Sequence, residues 1–153
     1  MKIVDMLKKE FISTSLQSKE KADALSELCS LFANGKVNFN HSAMVKALLE
    51  REKLGTTGIG DGIAIPHGKL QDLDDMYVAF GRSEAGIPFE AMDGKPVHLF
   101  FLLVAPEQST GQHLKTLAKL SRMLKDVQFR KDLLDAGTTE EVYRIISEKD
   151  DSC

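Results

Sequence analysis

Residues 55–70 read GTTGIGDGIAIPHGKL and gather five of the chain's eleven glycines around one histidine, His67. Pro66 before it fixes a backbone dihedral and removes a donor. Gly60, Gly62 and Gly68 beside it let a ligand or a partner's backbone come close. A histidine held in this way can fix one ring nitrogen by a hydrogen bond and present the other. Neutral imidazole is a nucleophile toward phosphorus near neutral pH, and its phosphoramidate is reactive enough to pass the group on. Such a site needs cationic or N–H donors for the phosphoryl oxygens and no hydrolytic base. Arg51, and a helix N-terminus carrying His113, fit that need if the fold brings them together.

Other chemistries fit the sequence less well. A Rossmann turn needs G-x-G-x-x-G leaving a strand and opening a helix, but Gly58 and Gly60 are followed by Ile63. The glycines also follow the charged segment LLEREK, and a helix C-terminus repels phosphate. No Gly-Lys-Ser/Thr ending marks a P-loop, no H-E-x-x-H or paired cysteines mark zinc, and no G-x-S-x-G marks a hydrolase. A plain helix cap and turn accounts for Gly55 or Gly58 but not for the glycines flanking Pro66-His67. Of the other histidines, His41 reads as a surface residue near a helix start and His98 as a satisfied histidine in an apolar strand. The bland reading of His113 is an exposed residue in a first helical turn.

The elements that must position these groups can be read from periodicity. A short strand is expected over Phe11 to Leu16. Ala22, Leu25, Leu28, Cys29 and Phe32 recur at helical spacing between Ser18 and Asn34. A second helix runs from about Asn40 to Lys53, with Met44, Ala47, Leu48 and Leu54 apolar. Ile63 to Ile65, Met76 to Gly81 and Val97 to Val104 read as strands, the last apolar throughout and so covered on both faces. Ser109 and Thr138 open helices as capping boxes. Leu114, Leu117, Ala118, Ser121 and Leu124 line a face of the first. Phe129, Leu133 and Leu134 mark a short helix, and the EKDDSC tail is expected to fray. The expected fold is α/β (α+β), a mixed sheet in three layers with helices on both faces.

The chain has 153 residues, 42% hydrophobic and 28% charged, which suits one domain with a real core. Net charge is −3 with no basic segment, so no nucleic-acid partner is expected. The longest apolar run, Val97 to Ala105, is far below the roughly 20 residues of a spanning helix, and the opening MKIVDMLKKEFISTSL is too short in apolar residues for a signal peptide. Cys29 and Cys153 read as free thiols, which suits the cytoplasm.

Glu52, then six residues, then IGDGIAIPHG resembles the signature of the fructose/mannitol-type (type 2) enzyme IIA domains of the bacterial phosphotransferase system. LLEREKLGTTGIG, APEQSTGQHLKTLAKLSRML and TTEEVYRII extend the resemblance over nearly the whole chain, and HGKL is most similar to the nitrogen-regulatory branch. The resemblance implies a single enzyme IIA domain over 1–153, with its core over about 10–148. It implies that His67 is the phosphoryl acceptor, that His113 supports the transferring group and that Arg51 adds charge. The phosphoryl group would come from the carrier HPr or its nitrogen-branch paralogue, charged by enzyme I from phosphoenolpyruvate, with no cofactor and no metal. Gly60, Gly68, Ile59 and Ile63 would form the loop and docking rim. Downstream would stand either regulatory protein targets or a separate IIB/permease component. A phosphorylation-independent interaction module on the same fold is the other class of reading, weakened because no motif position is broken.

Overall fold

A computed structural model describes residues 2–153. Two short 3₁₀ turns (Ile3–Asp5 and Lys9–Phe11) lead into β1 (Ile12–Ser13), followed by α1 (Lys21–Ser30) and a 3₁₀ turn (Leu31–Gly35). Next come α2 (His41–Lys53), β2 (Gly58–Gly60), β3 (Ile63–Ala64), β4 (His67–Leu70), β5 (Tyr77–Ile87) and β6 (Val97–Pro106). Three helices close the chain: α3 (Thr110–Leu124), α4 (Val127–Asp135) and α5 (Thr139–Ser152).

The strands form one mixed sheet in the order β1-β5-β6-β3-β2, and β4 also pairs with β6. β6 is central because its residues are apolar almost without a break. Val97 and Leu99–Ala105 are all buried, as a strand covered on both faces requires. It runs antiparallel to β5, with Phe80 opposite Phe101, and parallel to β3 and β4. The facing Phe80 and Phe101 rings meet edge to face, with centroids 5.1 Å apart.

Neighbouring residues of β5 show what covers each face, because strand side chains alternate. A Cβ on Gly81 would meet the Leu28 side chain of α1 at 2.6 Å. Arg82, the next residue, donates through Nη1 to the carbonyls of Leu133 (2.9 Å) and Ala136 (2.5 Å) at the end of α4. Helices therefore cover both faces, as the order of helices first, strands in the middle and helices last implies.

Several elements differ from the sequence expectation. β2 and β4 are strands that periodicity did not mark, since GIG and HGKL carry almost no alternation of their own; pairing with β3 and β6 creates them. β5 runs on past Gly81 to Ile87, carried by its ladder with β6, with an irregularity before Ile87 where Gly86 has φ +87. α1 stops at Ser30 and tightens into a 3₁₀ turn that ends at Lys36 in the left-handed region. α3 presents a face turned toward His113 and away from Leu114, although Leu117 is still partly buried against the core. His113, Thr116, Lys119, Leu120, Met123 and Leu124 are buried, while Leu114 is exposed. Leu54 and Leu134 are exposed too.

The two capping boxes part company. Thr138 Oγ1 accepts from Glu141 N–H at 3.1 Å and opens α5 as expected. The Glu141 carboxylate reaches the Gly137 N–H rather than that of Thr138. Ser109 makes no cap at all: its hydroxyl donates to Pro106 O at 2.8 Å, which leaves the first N–H groups of α3 without a side-chain partner from Ser109.

The expected frayed tail is helical to Ser152. Asp150, 1% exposed, explains this: it forms an ion pair with Lys119 of α3 and accepts from Val4 N–H at 3.1 Å. Removing one partner of a buried ion pair strands the other charge. Asp150→Ala is expected to cost about 3–5 kcal/mol in urea unfolding. A change under about 1 kcal/mol, typical of surface positions, would mean that the tail frays after all.

Candidate functional site

His67 is the first residue of β4, and its position follows from pairing to β6. Leu103 N–H donates to Pro66 O at 2.9 Å, and His67 lies opposite Leu103 in the parallel register. Both ring nitrogens are engaged. Nδ1 bonds to Ile65 O at 2.9 Å, and Arg51 Nε donates to Nε2 at 3.2 Å. A carbonyl can only accept and a guanidinium can only donate, so Nδ1 carries the hydrogen and Nε2 carries the lone pair. Burial holds the pKa of this half-buried ring below 6.5, against the raising effect of the Ile65 carbonyl, and the Arg51 charge lowers it further. The ring is therefore neutral near pH 7, with its lone pair on Nε2.

Arg51 stands in the last turn of α2, and its Nη1 donates to Gly55 O at 2.8 Å. That second bond anchors the guanidinium while Nε reaches the imidazole. When Nε2 forms a new bond, Arg51 loses its acceptor there and becomes free to bind the incoming oxygens. An Arg51→Ala variant is expected to raise the His67 pKa, because a neighbouring cation is lost, and to slow any phosphoryl transfer by roughly tenfold or more. An NMR titration of His67 beside a rate measurement checks both; an unmoved pKa would refute the contact.

His113 sits in the first turn of α3, yet it is 5% exposed rather than the open residue that its position suggests. The reason is that the N-terminus of α3 lies against the site. The two imidazole centroids are 5.4 Å apart at an interplanar angle of 57°. His113 Nε2 is buried with no hydrogen-bond partner. Burial, then the charges of His67 and Lys69, push its pKa from 6.5 to about 4. The folded state thus holds this proton less tightly than the unfolded chain does. Its contribution to stability is complete above pH 6.5 and drains away as the pH falls toward 4. Urea midpoints across that window are expected to fall in wild type and to fall less in His113→Gln; parallel curves would contradict the assignment.

Lys69 is a site residue that the sequence reading missed. It lies two positions after His67 in β4, hence on the same face, and its Nζ donates to Thr110 Oγ1 at 2.8 Å, at the start of α3. The alternation in HGKL was the available signal, but it was unreadable until those residues were known to form a strand.

The remaining residues singled out in the sequence fall elsewhere. Gly60 (φ +100) and Gly62 (φ +76) flank Asp61 in the β2–β3 hairpin, and a Cβ on either would approach Asp93 or His98, not His67. Gly68 is buried against α2, where a Cβ would lie 3.4 Å from Leu48 Cδ2. These glycines serve a turn and close packing, in place of the open space around His67 that the sequence suggested. Ile63 is 2% exposed and belongs to the core rather than to a rim, whereas Ile59 is exposed. His98 bonds through Nδ1 to Ser83 O at 2.9 Å, and His41 is part-buried, with Nε2 3.0 Å from Ser26 Oγ. Among the described residues no group of three or more His, Cys, Asp or Glu could hold a metal ion.

The arrangement offers a neutral imidazole with a defined nucleophilic nitrogen, a guanidinium bonded to it, a buried second imidazole, a lysine, and the positive end of α3. A group that carries several anionic oxygens, as a phosphoryl group does, is the chemistry that such donors stabilise.

Comparison with known proteins points the same way. The family profile "Phosphoenolpyruvate-dependent sugar phosphotransferase system, EIIA 2" matches residues 5–149. A nitrogen regulatory protein of Bradyrhizobium diazoefficiens is 42% identical over 147 residues, 96% of this chain and 95% of that protein. The fructose-specific EIIABC component of Bacillus subtilis is 39% identical over 151 residues, 98% of this chain but 24% of that much longer protein. The crystal structure of IIA-Ntr from Neisseria meningitidis superposes with a TM-score of 0.87 at 34% identity, covering 93% of this chain and 97% of that one.

Proposed function

This chain belongs to the EIIA type 2 family of the phosphoenolpyruvate-dependent sugar phosphotransferase system, and from that membership we propose that His67 is its phosphoryl acceptor, through Nε2. The chain is a phosphoryl carrier of that system, and its likeness to nitrogen regulatory proteins gives it a regulatory role. The observation that supports the site is the imidazole pinned at both nitrogens, with its lone pair facing Arg51.

The donor in this reading is the phosphohistidine of HPr or its nitrogen-branch paralogue, charged by enzyme I. The Nε2 lone pair forms the new N–P bond in line as the donor's N–P bond breaks, and the donor nitrogen keeps that bond's electron pair. Positive charge left on the His67 ring is shared with Nδ1–H, which stays bonded to Ile65 O. Arg51, His113, Lys69 and the α3 N–H groups take up the phosphoryl oxygens. Leu54, Ile59, Met92 and Leu114 are exposed apolar residues close in sequence to site residues or paired with the loop that leads to them, and they suit a protein donor. In this reading the whole chain acts as one domain in the cytoplasm. No described helix is long and apolar enough to cross a membrane.

The test is intact mass after mixing the protein with phosphoenolpyruvate, enzyme I and HPr or its paralogue. One added phosphoryl group, stable to alkali and lost in acid, is expected. An acid-stable adduct would point to a hydroxyl acceptor and sink the reading. A second reading, delivery of phosphate to a separate IIB/permease component, is favoured by the near-equal likeness to the fructose-specific component. Onward transfer from the charged protein to a fructose- or mannitol-type IIB domain would support it.

A further inference from the structure

Arg51 and Glu52 are adjacent at the end of α2, yet a helix turns about 100° per residue, so they point to different surroundings. Arg51 reaches His67 directly. Glu52 turns inward and is 9% exposed. Its Oε1 accepts from Thr57 N–H at 3.0 Å, and its Oε2 accepts from Thr57 Oγ–H. Lys21 Nζ of α1 lies 2.9 Å from the same Oε1 and 4.6 Å from the Phe89 ring centroid. Thr57 is itself 4% exposed. Its carbonyl accepts from Ile65 N–H at 3.0 Å, and the Ile65 carbonyl accepts from His67 Nδ1–H at 2.9 Å. One unbroken run of hydrogen bonds therefore joins a buried carboxylate to the far nitrogen of the acceptor ring.

We propose that Glu52, acting through Thr57 and Ile65, is a positioning residue that fixes the tautomer and aim of His67, so that two consecutive residues of α2 control both nitrogens of one imidazole. The proposal rests on His67 being the phosphoryl acceptor. Arg51 touches the nitrogen that reacts, while Glu52 holds the carbonyl that keeps the hydrogen on the other one. Without that carbonyl in place the hydrogen can move to Nε2, and the ring then presents no lone pair to the donor. Glu52 also puts negative charge near a ring that becomes positive during transfer. The other charged or titratable groups facing His67 are Arg51, Lys69 and His113, none of which is carboxylate.

The test uses Glu52→Gln and Thr57→Val, with Ile146→Ala in α5 as a variant that loses stability far from the site. Long-range ¹H–¹⁵N spectra of the imidazole read the tautomer, a pH titration reads the His67 pKa, and single-turnover transfer from phospho-HPr reads the rate. Both site variants are expected to show a mixed tautomer and a loss of about 10–100-fold in rate, the range seen when a supporting hydrogen-bond partner is removed. The half-saturating donor concentration is expected to change by less than about twofold, since no donor contact is lost. Glu52→Gln alone is expected to lower the His67 pKa further, because a nearby anion is gone. Ile146→Ala is expected to melt earlier with tautomer, pKa and rate as in wild type. Overturning results would be a wild-type tautomer, pKa and rate in both site variants, or a loss of stability alone as in Ile146→Ala. If wild type accepted no phosphoryl group, the acceptor assignment would fall, while the tautomer and titration would still decide the hydrogen-bond relay.

Discussion

His67→Ala is expected to take up no phosphoryl group while folding as wild type does. The prediction follows from what each histidine can present. His67 Nε2 has a lone pair fixed by the Nδ1–Ile65 bond and stands in a half-buried ring at a strand end. His113 cannot replace it, because it is 5% exposed with Nε2 enclosed. His41 and His98 are already engaged with Ser26 and Ser83. The fold tolerates the change because β4 is held by backbone pairing to β6, and Arg51 keeps its bond to Gly55 O. The cost to stability is expected to stay below about 1 kcal/mol, since a half-buried ring leaves little cavity. Intact mass after incubation with the donor system, beside a thermal melt, checks both halves. Uptake equal to wild type would remove His67 from the mechanism.

His113→Ala is expected to slow transfer by roughly 10²–10³-fold, the loss seen when one donor to a developing anion is removed. Its orphaned Nε2 is the structural sign of this role. A buried polar atom without a partner costs stability unless something arrives to satisfy it. A phosphoryl oxygen on the neighbouring ring, 5.4 Å away between centroids, is such an arrival. If His113 gains its hydrogen bond during transfer and not before, the loss is expected to fall on kcat more than on KM. Rapid-quench measurement at saturating donor reads this. A wild-type rate, with only a lower melting point, would make His113 a packing residue.

Sequence legibility tracked how much of each element's reason lies within the element. β6 is legible because eight apolar residues in nine can only be a central strand. α2 is legible because Asn40 caps it through the Ala43 N–H and its apolar residues keep helical spacing. β4 is not, because HGKL becomes a strand only through pairing with residues 36 positions away, such as Leu103 opposite His67. That single omission hid Lys69, and with it the second cation of the site. His113 was singled out by its place at a helix N-terminus and then by family resemblance, but its burial was not legible, since a first-turn residue reads as exposed. Leu114 suggested an inward position that it does not take, while the contact of the start of α3 with β4 turns His113 inward. The interlocked Lys119–Asp150 pair shows the same limit, since two charged residues give no hint in sequence that they will be buried together. The chemistry was legible where it rests on local chain geometry, as at Pro66-His67-Gly68. It was hidden wherever distant elements meet.

The central claim is that the phosphoryl group is carried on Nε2 of His67. Long-range ¹H–¹⁵N correlation of the phosphorylated protein tests it most directly, because phosphorus coupling and nitrogen shift separate the two ring positions. A phosphoryl group on Nε2, with Nδ1 still bonded to Ile65 O, is the expected result. A group on Nδ1, or on any other side chain, would contradict the account, since the Ile65 bond would then have to break before transfer.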